Sequence, residues 1–121
     1  MIYIAYKRCS TCKKIQDLLD EKKIDYVYRE IDKENPTADE IKKWHEESGL
    51  DIKKFFNTSG MIYRDNNLKD KLPNMTDKEK YELLATDGKL VKRPILLDDD
   101  KKFVAVGPGV KKYGSIISMG E

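Results

Sequence analysis

Cysteine is nearly absent: the 121 residues hold only two, both in one tetrad, Cys9-Ser-Thr-Cys12. A framework of structural disulfides is thereby excluded, and in a reducing compartment a lone C-x-x-C is either redox-active or half of a metal site. Zinc asks for four ligands, and the remainder of the chain offers one histidine, His45, and carboxylates. Within a single chain redox chemistry therefore stands ahead of metal binding, and a metal shared between two copies is the remaining alternative. Net charge is also lacking. Charged residues make up 38% of the chain, yet 24 Lys+Arg against 22 Asp+Glu leave only +2. Direct nucleic-acid binding is not expected, because phosphate recognition needs positive charge gathered on one face. No apolar run approaches the ~20 residues of a membrane span. The opening stretch MIYIAYKRCS is too short in its apolar part, and wrongly ordered, for a signal peptide. The expectation is a cytoplasmic protein with no membrane partner. A hydrophobic fraction of 39% points to one compact core beneath a charged shell, and the length suits a single domain over 1–121.

What is present is ordered. Met1–Tyr6 is a short apolar and aromatic run suited to a buried strand. Ser10 or Thr11 can cap a helix whose apolar positions Ile15, Leu18 and Leu19 recur at helical spacing. Asp25–Ile31 alternates as a second strand, so the opening is one β-α-β crossover and favours a parallel pair. Thr37 with Glu40, and Thr76 with Glu79, match capping boxes. The first opens a helix that runs to about Ser48 and stops at Gly49. The second opens one carrying Tyr81, Leu83 and Leu84 that ends near Asp87-Gly88. Between them Leu50–Leu72 is mixed. Arg93–Leu97 and Lys101–Val106 flank the Asp98–Asp100 turn as an antiparallel hairpin, and Val110–Ile117 reads as a closing helix. The order is β-α-β, an all-helical insertion over 33–88, then β-β-α, with 1–32 and 89–121 forming the sheet-bearing part.

Cys9 follows the first strand and stands at the mouth of the first helix. Unpaired N–H groups, the helix dipole and the nearby Lys7, Arg8, Lys13 and Lys14 all favour its thiolate there, and the thiolate is the nucleophile. Cys12 lies about one turn further in, placed to resolve a mixed disulfide on Cys9. The plainer alternative is two ordinary core cysteines. Arg93-Pro94 opens the third strand; in a thioredoxin-like domain a proline here would be cis with its edge toward the active cysteine, and otherwise it simply opens an edge strand. Arg93 would then point charge at a thiolate or an oxyanion. His45, on a charged helix with Trp44, reads as a surface residue, and the scattered tyrosines read as packing.

The CSTCKK crossover, the insertion with GLDIKKFFNTSGMIYR and the strand LVKRPILL together resemble the arsenate reductase-related family, often called ArsC/Spx, in its small Gram-positive members. The resemblance covers nearly the whole chain. It implies an α/β, thioredoxin-like (glutaredoxin-like) mixed sheet with a helical insertion. Cys9 matches the family's catalytic cysteine and Arg93 its active-site arginine, with Ser10, Thr11, Asn57 and Pro94 lining the substrate position. Asn57-Thr58-Ser59 has two readings, helix capping and a polar wall near Cys9. Two further oxyanion-binding arginines of the glutaredoxin-coupled reductases are missing, one at Asn57-Thr58-Ser59 and one near Gly107. Their histidine before the cysteine is missing too, since the stretch reads Ala5-Tyr6-Lys7-Arg8. Each lost charge-assisted contact forfeits roughly 1.5–3 kcal/mol of oxyanion binding.

The implied function is thiol–disulfide exchange without a metal or bound cofactor, using thioredoxin, glutaredoxin or a low-molecular-weight thiol as reductant. The alternative is an Spx-like redox-sensing regulator that binds the RNA polymerase alpha subunit. Gly49 falls near that family's polymerase-contact glycine, although a helix cap explains it equally, and the chain lacks the regulators' longer basic tail. Arsenate reduction ranks below both.

Overall fold

The computed structural model describes residues 1–112. They fall into two compact units, Met1–Glu30 with the segment from Arg93 onward, and Ile31–Lys92.

The first unit carries a four-stranded mixed sheet in the order β2-β1-β3-β4. β1 (Ile2–Ala5) and β2 (Val27–Glu30) run parallel, with Ile2 opposite Val27 and Ala5 opposite Glu30. The connection between them is helix α1 (Ser10–Glu21), as a parallel pair requires. β3 (Ile95–Leu97) pairs antiparallel with β1, and β4 (Phe103–Val106) antiparallel with β3. This is the thioredoxin-like sheet. Helix α1 buries Cys12, Ile15 and Leu19, a spacing of three and then four that makes one stripe. The stripe packs on Tyr3, Ala5, Leu96, Ala105 and Val110. Burying each such Ile or Leu contributes about 1.5–3 kcal/mol. β4 ends at Val106, Gly107 makes the turn, and the chain is helical over 108–112. The closing helix expected over Val110–Ile117 therefore lies largely outside the described residues.

The second unit is helical. α2 (Ala38–Ser48) is followed by a 3-10 turn at Ile52–Phe55, α3 (Met61–Asp65), α4 (Leu68–Lys71), a 3-10 turn at Leu72–Asn74, α5 (Asp77–Leu84) and a 3-10 turn at Gly88–Leu90. An antiparallel bridge joins Phe56 to Val91. Its buried residues include Ile41, Trp44, Phe55, Phe56, Leu84 and Leu90. Both capping boxes form as their spacing predicts, with Thr37 accepting from the Glu40 N–H and Thr76 from the Glu79 N–H. α2 also ends as predicted, with Gly49 in the left-handed region at φ +66°. Replacing Thr37 with alanine leaves the Glu40 N–H, 3.1 Å from the hydroxyl, without its side-chain acceptor. The expected loss is about 1 kcal/mol of stability, read as a lower midpoint in denaturant.

Two expectations fail in this unit. α5 stops at Leu84 with Ala85 as its cap, short of the Gly88 stop read from the sequence. Gly88 instead opens the next 3-10 turn, its N–H bonded to the Asn35 Oδ1 at 3.1 Å. His45 is half-buried, not the plain surface residue the helix pattern suggests. Its Nδ1 lies 2.7 Å from the Tyr81 hydroxyl and its ring stands edge-on to Phe55 at 6.2 Å. The cause is the packing of α2 on α5, a long-range contact that a lone helix pattern does not show.

Candidate functional site

The chain leaves β1 through a tight turn in which the Cys9 N–H donates to the Tyr6 carbonyl at 3.1 Å, spanning Lys7 and Arg8. Cys9 is thus the last extended residue before the helix, at φ −93° and ψ 112°, and its carbonyl accepts the helix's first N–H, from Lys13. The cap therefore belongs to Cys9 and not, as the sequence suggested, to Ser10 or Thr11. Those two lie exposed in the first turn. The Cys9 Sγ takes the place that a serine or threonine oxygen would occupy, accepting the Cys12 N–H at 3.3 Å. No acidic residue stands in the first turn to repel charge on that sulfur.

The two thiols are shifted in opposite directions. Burial resists ionisation of Cys9. Hydrogen bonds from the Cys12 side chain and backbone, then the charge of Arg93 and a hydrogen bond from it, outweigh that resistance and hold Cys9 below the ordinary thiol value. Burial and the hydrogen bond to Cys9 push Cys12 up to about 12. Access follows the same division: Cys12 is 2% exposed, whereas Cys9 is only partly covered. The basic surround read from the sequence plays a smaller part than expected. Lys7 pairs with Glu30 at 2.6 Å and Lys13 with Asp17 at 2.9 Å, so these two cations are turned to carboxylates. The charge that acts on the sulfur comes instead from Arg93.

The Arg93-Pro94 bond is cis. Arg93 packs its guanidinium carbon 4.9 Å from the centroid of the Tyr6 ring. Pro94 is buried, and its carbonyl accepts the Gly107 N–H at 2.7 Å. Cys9, Cys12, Arg93 and Pro94 thus belong to one unit and share one neighbourhood. Asn57 belongs to the other unit, where its Nδ2 donates to the Lys89 carbonyl at 3.3 Å and its N–H to the Leu90 carbonyl at 2.7 Å. Gly107 sits at φ +59°, so an arginine at that point would be strained as well as absent. Two residues of the site went unassigned from the sequence. Tyr3 is fully buried, and its hydroxyl donates to the Cys12 carbonyl at 2.6 Å. Tyr6 meets Arg93 face-on. Alternation along β1 gave the only signal for Tyr3, by placing it on the side that faces α1. Among the described residues, no three of His, Cys, Asp and Glu gather where they could hold a metal ion.

A thiol of lowered pKa at a helix mouth, a buried protonated partner and an arginine beside them can carry out nucleophilic attack on sulfur or on an oxyanion. The model of the ArsC family matches residues 4–114. The chain belongs to the ArsC family. Among ArsC-like relatives, the uncharacterized protein YusI of Bacillus subtilis is 49% identical over 104 residues, covering 84% of this chain and 85% of YusI. The global transcriptional regulator Spx of Staphylococcus epidermidis is 33% identical, over 77% of this chain and 70% of Spx. Among solved structures, a possible arsenate reductase from Streptococcus mutans superposes with a TM-score of 0.83 at 45% identity, over 88% of each chain. The proteins this chain resembles are thus named both as a possible arsenate reductase and as a transcriptional regulator.

Proposed function

We propose that this chain is a thiol–disulfide oxidoreductase of the ArsC family, with Cys9 as nucleophile and Cys12 as resolving thiol. The reading is carried by the asymmetry of the pair: an accessible sulfur held toward its thiolate on the helix's own N–H, and a buried one held protonated. The Cys9 thiolate attacks one sulfur of a partner disulfide, forming a mixed disulfide and releasing the other sulfur as a thiolate. Cys12 then gives its proton to that leaving thiolate or to solvent and attacks the Cys9 sulfur. The second partner thiolate departs, and the two electrons taken from the pair leave a Cys9–Cys12 disulfide. Thioredoxin, glutaredoxin or a low-molecular-weight thiol would return them, as in a reducing cytoplasm. Arg93 stabilises the thiolate before attack, and Ser10, Thr11 and Pro94 border the approach.

Alkylation tests this reading. Because the Cys9 pKa is lowered, the rate of iodoacetamide reaction should reach half its plateau at a lower pH than that of an unperturbed thiol measured beside it. Cys12, held at about 12, should stay unmodified at pH values where Cys9 reacts fully. With Cys12→Ser, a single turnover on a small disulfide should stop at a mixed disulfide on Cys9, visible by mass spectrometry. A half-plateau at or above the unperturbed value, or no trapped species, would overturn the proposal.

The relationship to Spx favours a second reading, in which the pair's redox state alters binding to the RNA polymerase alpha subunit. Gly49 is exposed, and a Cβ there would meet no atom within 4 Å, so a partner could approach it. Retention of this chain by the alpha subunit's C-terminal domain would support this reading if it is lost in Gly49→Arg and kept in Gly49→Asn, which tolerates the left-handed backbone. Arsenate reduction ranks lowest, since of the three arginines only Arg93 is present; arsenate-dependent consumption of reducing equivalents would revive it.

A further inference from the structure

We infer that Tyr6 is a positioning residue of this site, its ring fixing the Arg93 guanidinium beside the Cys9 sulfur. Tyr6 is tied to every member of the constellation. Its carbonyl accepts the Cys9 N–H at 3.1 Å and so closes the turn that makes Cys9 the helix cap. Its own N–H reaches the Cys12 sulfur. Its ring lies 4.9 Å from the guanidinium carbon of Arg93, within the distance at which a cation is attracted to an aromatic face.

The backbone contacts would survive replacement of the side chain, whereas the ring contact would not. A free arginine side chain carries several rotatable bonds and an always-charged head that prefers water. Stacking on Tyr6 restricts that freedom before any partner arrives. The groups that act on Cys9 are few: Cys12 on α1, Arg93 ahead of β3, and Tyr3 on β1, which is too weak an acid to carry charge at neutral pH. Lys7 and Lys13, its neighbours in sequence, face Glu30 and Asp17. Arg93 is thus the cation that, after the Cys12 hydrogen bonds, favours the Cys9 thiolate, and Tyr6 contributes to its placement without touching the reacting sulfur of a partner.

This inference rests on the reading of Cys9 as the reactive thiolate, and a titration separates the two. Cys9 ionisation is followed by ultraviolet thiolate absorbance and by iodoacetamide rate against pH in the wild type, Tyr6→Phe, Tyr6→Leu, Arg93→Met and the double variant Tyr6→Leu/Arg93→Met. Tyr6→Phe keeps the aromatic face and should titrate with the wild type. Tyr6→Leu should move the midpoint upward and slow alkylation below the midpoint by about threefold. In the double variant the midpoint should rise no further than in Arg93→Met alone, because the ring acts only through the guanidinium. Tyr6→Met, of similar bulk without a ring, makes the same comparison if the leucine variant does not fold. A wild-type midpoint at the ordinary thiol value overturns the functional reading as well. A low wild-type midpoint that rises in Arg93→Met but not in Tyr6→Leu or Tyr6→Met overturns the Tyr6 assignment alone, as does full additivity in the double variant.

Discussion

Cys9→Ser should abolish disulfide turnover, by about a thousandfold or more, while leaving the fold as stable as before or slightly more so when compared below the Cys9 midpoint, where no thiolate charge contributes. The two halves of this expectation come from the same atom. A serine hydroxyl is a far weaker nucleophile toward sulfur and cannot form the mixed disulfide. As a helix cap, however, an oxygen accepts the Cys12 N–H better than sulfur does, and serine is among the preferred capping residues. Cys9→Ala should lose activity equally and also lose about 1 kcal/mol of stability, since nothing then accepts that N–H. Steady-state turnover of a small disulfide beside urea denaturation of the three proteins reads both effects. Residual turnover in Cys9→Ser at more than about a tenth of wild type would exclude Cys9 as the nucleophile.

The largest purely structural effect is expected at Gly88. A Cβ built on this glycine would stand 2.0 Å from the Ile31 carbonyl oxygen, 2.7 Å from its carbon and 2.8 Å from the Asn35 Oδ1. The first two are backbone atoms, which do not swing aside as a side-chain tip would. The third accepts the Gly88 N–H, so a shift that relieves the clash breaks a hydrogen bond as well. Gly88→Ala should therefore cost about 3 kcal/mol or more, at the upper end of overpacking effects, with a corresponding fall in the urea midpoint. A variant within about 0.5 kcal/mol of wild type would contradict a clash of the added Cβ with the Ile31 carbonyl. The contrast with Gly49 is useful: there φ is +66° but a Cβ finds open space, so substitution strains only the backbone.

What could be read from the chain beforehand follows from the range over which each signal acts. The capping boxes at Thr37 and Thr76, the glycine stop at Gly49 and the β-α-β opening are fixed by residues within a turn or two of one another, and all form as their spacing implies. The cysteine pair at the first helix was legible for the same reason. Its electrostatics were not. Proximity in sequence points to Lys7, Arg8, Lys13 and Lys14, yet Lys7 and Lys13 meet carboxylates from a strand and from the next helical turn, while Arg93 acts from far along the chain. The choice of cap was also missed, because residue preference favours serine and threonine, and only the turn closed on Tyr6 shows that Cys9 is the last extended residue. Gly88 looked like an ordinary helix stop; its true constraint, a carbonyl of Ile31 against its Cα, exists only after the chain has folded back.

The sulfur that caps α1 ties reactivity to folding. Once Cys9 ionises, a negative charge rests on the Cys12 N–H and beside Arg93 and adds to the free energy that holds the first turn. Joining that sulfur to another removes the charge, so this portion of the stabilisation exists only while the thiols are reduced. By linkage, whatever the reduced chain gains in this way reappears as a stronger pull on electrons by the oxidised one, relative to a pair of unperturbed thiols. If the pair cycles between dithiol and disulfide, one contact at the start of a helix makes its disulfide the easier for an external thiol to reduce.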